Sequence, residues 1–134
     1  MTTYASSCKR ILIADNDEDV LIAFEKLFEA AGFAAHATWS GHEALSLIKS
    51  GKFSALLIGT YLADIHSAEF LGRMSRLPTK PPVVVVMQDR VPTRADQHLY
   101  ESLGVSAVVD KGDAQHVREV VALCSTANGI FKVH

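Results

Sequence analysis

The chain lacks most of what would mark a secreted, membrane-bound or nucleic-acid-binding protein. It has two cysteines in 134 residues, Cys8 and Cys124, near opposite ends and in no metal-like or redox-like spacing. That usage reads as reduced thiols of a cytosolic protein rather than a disulfide framework. No basic excess exists, since 13 Lys and Arg face 15 Asp and Glu for a formal charge of -2. Affinity for phosphate backbones needs such an excess, so no direct nucleic-acid ligand is expected. No stretch approaches the roughly 18 apolar residues of a membrane span, and the polar start from Met1 to Lys9 has no signal-peptide core. The expected location is cytoplasmic, with no membrane partner. The six histidines show no paired spacing on a common helix face, which leaves no metal site to read. No nucleophile is paired with a base and no glycine loop is shaped to cradle phosphate, so the chain does not read as an enzyme.

Apolar residues make up 49% of the sequence, enough for one domain to bury a core without staples. Runs at Ile11 to Ala14, Ala55 to Ile58, Val83 to Met87 and Ala107 to Val109 do not alternate with polar residues, as expected of strands buried on both faces. Phe33 to Thr38 is more mixed and fits a strand nearer the sheet edge. Helical stripes lie between them: Val20, Phe24, Leu27, Phe28 and Ala31; Ala44, Leu47 and Ile48; Phe70, Leu71, Met74 and Leu77; Val117, Val120, Val121 and Cys124. A weaker repeat of Ala95, Leu99 and Leu103 predicts a helix from about Thr93 to Leu103. Ser40 with Glu43 has the spacing of a capping box, and Gly32, Gly51 and Gly104 stand where helix ends favour a left-handed residue. Strand alternating with helix five times predicts an α/β doubly wound parallel sheet, in which ligands bind beyond the carboxyl ends of the strands. The expected domain covers residues 9–126, with a poorly ordered start over 1–8 and a tail or linker over 127–134.

The first of those strand ends is acidic: Asp15, Asn16, Asp17, Glu18 and Asp19 follow Ile11 to Ala14. Gly59, Met87 and Lys111 fall at the ends of three others. A helix N-terminus alone accounts for carboxylates at Asp17, Glu18 and Asp19, because a first turn favours negative charge. Asp15, on the strand itself, is equally open to a working role. Trp39 reads as packing or stacking at a loop, and Asp64 and His66 as parts of the loop after the third strand. The hydroxyl of Thr60 has no base or metal cage nearby, and Asp89 and Arg90 read as a pair in water.

Over nearly its whole length, from Arg10 to about Ser125, the sequence resembles the receiver domain of bacterial response regulators. The residues that carry the likeness are Ile-Leu-Ile-Ala-Asp-Asn-Asp-Glu-Asp-Val-Leu at 11–21, Ser-Gly-His-Glu-Ala-Leu at 40–45, Glu-Phe-Leu at 69–71, Pro-Pro-Val at 81–83 and Leu-Gly-Val-Ser-Ala-Val-Val-Asp-Lys at 103–111. The resemblance implies a (βα)5, flavodoxin-like three-layer sandwich with strand order 2-1-3-4-5. It also implies two-component or phosphorelay signalling, in which an aspartate ending the third strand accepts a phosphoryl group beside Mg²⁺.

Several of the implied parts are changed here. The acceptor position, ten residues before Glu69, holds Gly59, and an acyl phosphate cannot form without a carboxylate. Asn16 replaces the second acid of the metal-holding pair, so Mg²⁺ binding is expected to be lost or weak and no cofactor is expected. Met87 stands at the phosphate-contacting hydroxyl, Val108 at the aromatic switch, and Gly112 where a proline usually follows the lysine. Asp15 and Lys111 remain, and one carboxylate against one lysine predicts a direct or water-bridged pair without metal. The resemblance places the contact surface on the fourth helix, fifth strand and fifth helix, about Thr93 to Thr126, with Tyr100, Val105 and Arg118 as candidates. The expectation is an atypical receiver, or pseudo-receiver, acting as a phosphorylation-independent interaction module. Its partner would be a signalling protein or an attached output domain, with a homodimer through that face as a further possibility. The alternative is a small-ligand sensor using the space left at Gly59.

Overall fold

The computed structural model describes residues 9–126; the expected start over 1–8 and tail over 127–134 lie outside the described residues. Five strands, β1 (Arg10–Ala14), β2 (Ala34–Thr38), β3 (Ala55–Gly59), β4 (Val83–Gln88) and β5 (Ala107–Asp110), form one parallel sheet in the order β2-β1-β3-β4-β5. Five helices connect and follow them: α1 (Glu18–Ala30), α2 (Gly41–Ser50), α3 (Ser67–Met74), α4 (Arg94–Ser102) and α5 (Ala114–Thr126). This is the expected doubly wound arrangement, with β2 at one edge.

Period-two alternation splits each central strand between two cores. Ile11, Ile13, Leu57, Val85, Met87 and Val109 pack with Phe24 and Phe28 of α1 and with Val117 and Val121 of α5. Leu12, Ala14, Leu56, Ile58, Val84 and Val86 pack with Ala44 and Ile48 of α2, Phe70 and Leu71 of α3 and Tyr100 of α4. Each fully buried side chain, such as Phe28 or Phe70, contributes about 1.5–3 kcal/mol by leaving water. Phe33 falls just outside β2, with its ring edge-on to Phe28 at 5.4 Å.

Four local expectations need correction. In α1 Phe24 and Phe28 are buried as expected, with Val20 and Leu27 partly covered, but Leu21 joins the buried stripe and Ala31 is exposed. In α4 the buried residue is Tyr100, whereas Ala95 and Leu99 face solvent, Leu99 at 53% exposure. That helix starts with a full capping box: Thr93 Oγ1 accepts from Asp96 N and the Asp96 carboxylate accepts from Thr93 N. The Ser40 box is half formed, because Ser40 Oγ accepts from Glu43 N while the Glu43 carboxylate takes the Thr38 hydroxyl instead. Gly32 and Gly104 have the positive φ that helix ends favour, but Gly51 has φ -108°. Close packing explains Gly51, since a Cβ there falls 2.9 Å from Leu47 O and 3.0 Å from the Phe53 ring.

Candidate functional site

The strand ends bring Asp15, Gly59, Met87 and Lys111 together because each continues the same alternating row of side chains. Ile13 precedes Asp15 by two positions, Leu57 precedes Gly59, Val85 precedes Met87 and Val109 precedes Lys111, all on the α1 and α5 side of the sheet. The four positions therefore form a layer directly above that core. Met87, paired with Gly59 in the ladder, is fully buried and keeps the floor of this layer apolar.

Asp15 is fully buried. Its backbone N–H donates to Thr38 O at 3.2 Å, and its Oδ1 accepts from Asp17 N at 2.9 Å, which holds the start of α1 against the strand end. Lys111 Nζ lies 3.3 Å from Asp15 Oδ1 and 3.1 Å from Oδ2, the direct contact that one carboxylate against one lysine predicts. The ammonium also reaches Asp89 Oδ1 at 3.3 Å, so Asp89 pairs with Lys111 and not with Arg90. Burial works against the Lys111 charge, but the Asp15 and Asp89 carboxylates outweigh it and hold the lysine above its ordinary pKa.

Gly59 is filled from the side. A Cβ built on it falls 2.2 Å from Asp15 Oδ2 and 2.8 Å from Asp15 Cγ, so the Asp15 carboxylate stands where a side chain at 59 would begin. The expectation of open space at Gly59 is corrected by that contact. Asn16 is exposed at the rim, one residue past the buried carboxylate. The peptide after Lys111 is trans, as are all among the described residues.

The two loops flanking this layer are fixed by contacts the sequence did not disclose. Arg90 binds Asp96 through two hydrogen bonds, Nη1 to Oδ2 at 2.5 Å and Nη2 to Oδ1 at 2.9 Å, and Gln88 Nε2 adds a third at 3.0 Å. The Arg90 guanidinium, then the Thr93 N–H and Gln88, hold the Asp96 carboxyl far below the usual range. Across the sheet end, Asp64 accepts from Ser40 Oγ at 2.8 Å, Gly41 N at 2.7 Å and His42 N at 3.1 Å, capping α2 from a different loop. Partial burial pushes the Asp64 carboxyl up, but the Gly41, Ser40 and His42 donors win and lower it to about 2. His66 Nδ1 accepts from Ala68 N and caps α3. The spacing of Thr93 and Asp96 was a readable capping signal; nothing in the sequence announces that Asp64 would serve a helix twenty-odd positions earlier.

The expected interaction residues divide. Tyr100 is 4% exposed, with its hydroxyl 3.4 Å from Ser67 Oγ, and belongs to the core; Val105, 7% exposed, packs in the same core and also lines the trough between α4 and α5. Arg118 on α5 is partly exposed. Trp39 and Tyr61 are exposed at 56% and 60%, and Trp39 O accepts from Ala63 N, which stitches their two loops together. Thr60 Oγ1 is buried without a hydrogen-bond partner. Among the described residues no cluster of three His, Cys, Asp or Glu is arranged for a metal ion, and no helix is long and apolar enough to cross a membrane.

Solved receiver structures share this fold. A CheY-like receiver domain protein from Methanospirillum hungatei JF-1 superposes with a TM-score of 0.79 at 20% identity, over 90% of this chain and 96% of its own. The signal receiver domain of a putative Luxo repressor protein from Vibrio parahaemolyticus gives 0.79 at 15% identity, over 90% and 92%. A response regulator from Burkholderia pseudomallei, solved with a phosphorylated aspartic acid, calcium and citrate, gives 0.73 at 16% identity, over 89% and 69%. No curated protein matches the chain. The sequence model described as the response regulator receiver domain matches residues 11–122, most of the chain and all five strands. With the β2-β1-β3-β4-β5 sheet and a lysine directly after β5 that faces an acid directly after β1, this match makes the chain a member of the response regulator receiver domain family, a signalling module.

Proposed function

We propose that this chain is a receiver that signals without phosphorylation, as a protein-interaction module in two-component or phosphorelay signalling. One observation carries the reading: the Asp15 carboxylate occupies the ground where an acceptor side chain at position 59 would begin, 2.2 Å from its Cβ. Glycine supplies no nucleophile, and the neighbouring acid is neutralised by Lys111 at 3.1 Å. The residues present do not fit Mg²⁺ either. A hard divalent cation wants several anionic oxygens, and this end of the sheet offers Asp15 and the exposed Asp89, both already paired with Lys111, beside the neutral amide of Asn16. A phosphoryl switch works by adding charge that reorders a bistable loop. Here the loop after β4 is held by Arg90, Gln88 and Thr93 on Asp96, with no phosphoryl group required.

The test is intact-mass spectrometry after incubation with acetyl phosphate and Mg²⁺. The expected result is an unmodified mass; a stoichiometric phosphorylated species overturns the reading. In parallel, Gly59→Asp with Asn16→Asp should acquire Mg²⁺-dependent stabilisation that wild type lacks. Equal Mg²⁺ binding by the two proteins contradicts the account of the site.

A further inference from the structure

An unpaired strand edge, an apolar trough and charge of a single sign coincide along β5. The strand closes one side of the sheet, so one row of its peptide groups meets no other strand among the described residues. Lys111 N donates to Gln88 O where Gln88 is in register with Asp110, and this sets the phase of the ladder. Peptide groups alternate sides along a strand, so Val108 turns its N–H and C=O to the outer edge.

A trough of about 740 Å³ runs along this edge between α4 and α5. Val91, Val108 and Val120 give it an apolar floor, Glu101, Asp110 and Asp113 give it acidic margins beside His116, and among the described residues no lysine or arginine lines it. Val91 at 74% exposure leaves one end of the floor open to solvent. Exposed edges are commonly guarded by lysine, which repels a pairing strand. The carboxylates here repel an acidic strand and attract a basic one.

The same charges argue against a second copy of this chain. A two-fold dimer sets one patch against itself, which would bring Glu101, Asp110 and Asp113 towards their own counterparts. We propose that the trough receives an extended, basic segment of a partner protein, added to β5 as a sixth strand. Its alternate apolar side chains lie on the valine floor, and its lysines or arginines face the three carboxylates. This assignment rests on the interaction-module reading above and names the chemistry of the partner.

The probes are two synthetic octapeptides, one alternating valine with lysine and one alternating valine with glutamate, titrated into the full isotope-labelled chain and followed by amide NMR. The lysine peptide should shift β5 resonances and slow hydrogen exchange at Val108 by about tenfold or more, as a newly paired edge amide requires. The glutamate peptide should leave both unchanged at the same concentration. Glu101→Lys with Asp113→Lys, both exposed positions, should reverse the preference. Equal binding of the two peptides, shifts confined to the acidic turn at Asp17 to Asp19, or a peptide-free dimer that already protects Val108 would overturn the proposal. Mass spectrometry of the same sample separates the two claims. A chain that binds the lysine peptide yet takes up phosphate refutes the phosphorylation-independent reading alone.

Discussion

Two ion pairs flank the carboxyl end of the sheet at similar separations, Lys111 to Asp15 at 3.1 Å and Arg90 to Asp96 at 2.5 Å. Their surroundings differ far more than their lengths. The Asp15 side chain is 0% exposed and that of Lys111 15%, whereas Asp96 is 15% exposed and its partner Arg90 59%. The first pair spans 96 residues and ties β1 to β5; the second spans six and sits on a helix cap that Thr93 already makes. Distance alone therefore says little about consequence. A desolvated pair is costly to split because either partner left alone is a buried charge, while an exposed pair loses little that water cannot replace.

The sharpest way to break this comparison is Lys111→Ala. Asp15 would then lie buried without its cation, and urea denaturation should show a loss of about 3–5 kcal/mol. The double variant with Asp15→Ala should recover much of that loss; strict additivity of the single effects would mean the two are uncoupled. The pH dependence has a definite sign. Because the folded lysine pKa is raised, its stabilisation is complete below the unfolded value of roughly 10.4 and is lost as pH rises through the higher folded value. Wild type should thus lose an alkaline increment of stability that Lys111→Ala lacks.

Gly59→Ala comes next, at about 1–3 kcal/mol, because its Cβ collides with Asp15 Oδ2 and forces the carboxylate off Lys111. In an Asp15→Ala background the same methyl should be nearly neutral. If Gly59→Ala is harmless in wild type, Asp15 does not rest over the glycine and the contrast between the two ends of the sheet fails.

Much of this arrangement was legible in the sequence, for reasons of period and position. Non-alternating runs marked the buried strands, and the positions at or just past the ends of those runs marked Asp15, Gly59, Met87 and Lys111 as strand-end residues. Charge balance then gave the Asp15 to Lys111 contact. The errors arose where neighbours decide. Tyr100 is amphipathic and occurs on both surfaces and cores, and only the placement of α4 against Ser67 turns it inward. Likewise a missing side chain at 59 reads as space until Asp15 is seen to lean into it, since an adjacent strand's rotamer leaves no mark in the sequence. The Asp64 cap on α2 joins two loops, and local spacing cannot express such a contact.

Asp64 extends the comparison to a carboxylate satisfied by two backbone N–H groups and a hydroxyl at the start of α2, with the His42 imidazole further off at 3.9 Å. Asp64→Ala removes acceptors for Gly41 N, His42 N and the Ser40 hydroxyl, and should cost about 1 kcal/mol near neutral pH. Its folded pKa of about 2 lies below the unfolded carboxylate value of roughly 3.9, so its contribution is present above the latter and fades as pH falls through the former. The stability gap between wild type and variant should therefore close between those two values. A gap that persists at the lowest pH would assign the loss to packing and not to the charged cap.

The smallest effect is expected from Arg90→Ala, and it is the strictest check on the contrast between the two pairs. Removing the guanidinium takes two hydrogen bonds from Asp96, but the carboxylate keeps Thr93 N at 2.9 Å and Gln88 Nε2 at 3.0 Å, and water reaches the rest. The urea midpoint should move little, and it should move even less in high salt, where exposed pairs are screened. What should change is the acid titration of Asp96, followed by carboxyl NMR, because the arginine is the leading cause of its lowered pKa. A large loss of stability, comparable with that of Lys111→Ala and insensitive to salt, would show that the loop after β4 depends on this pair as strongly as the sheet end depends on its buried one.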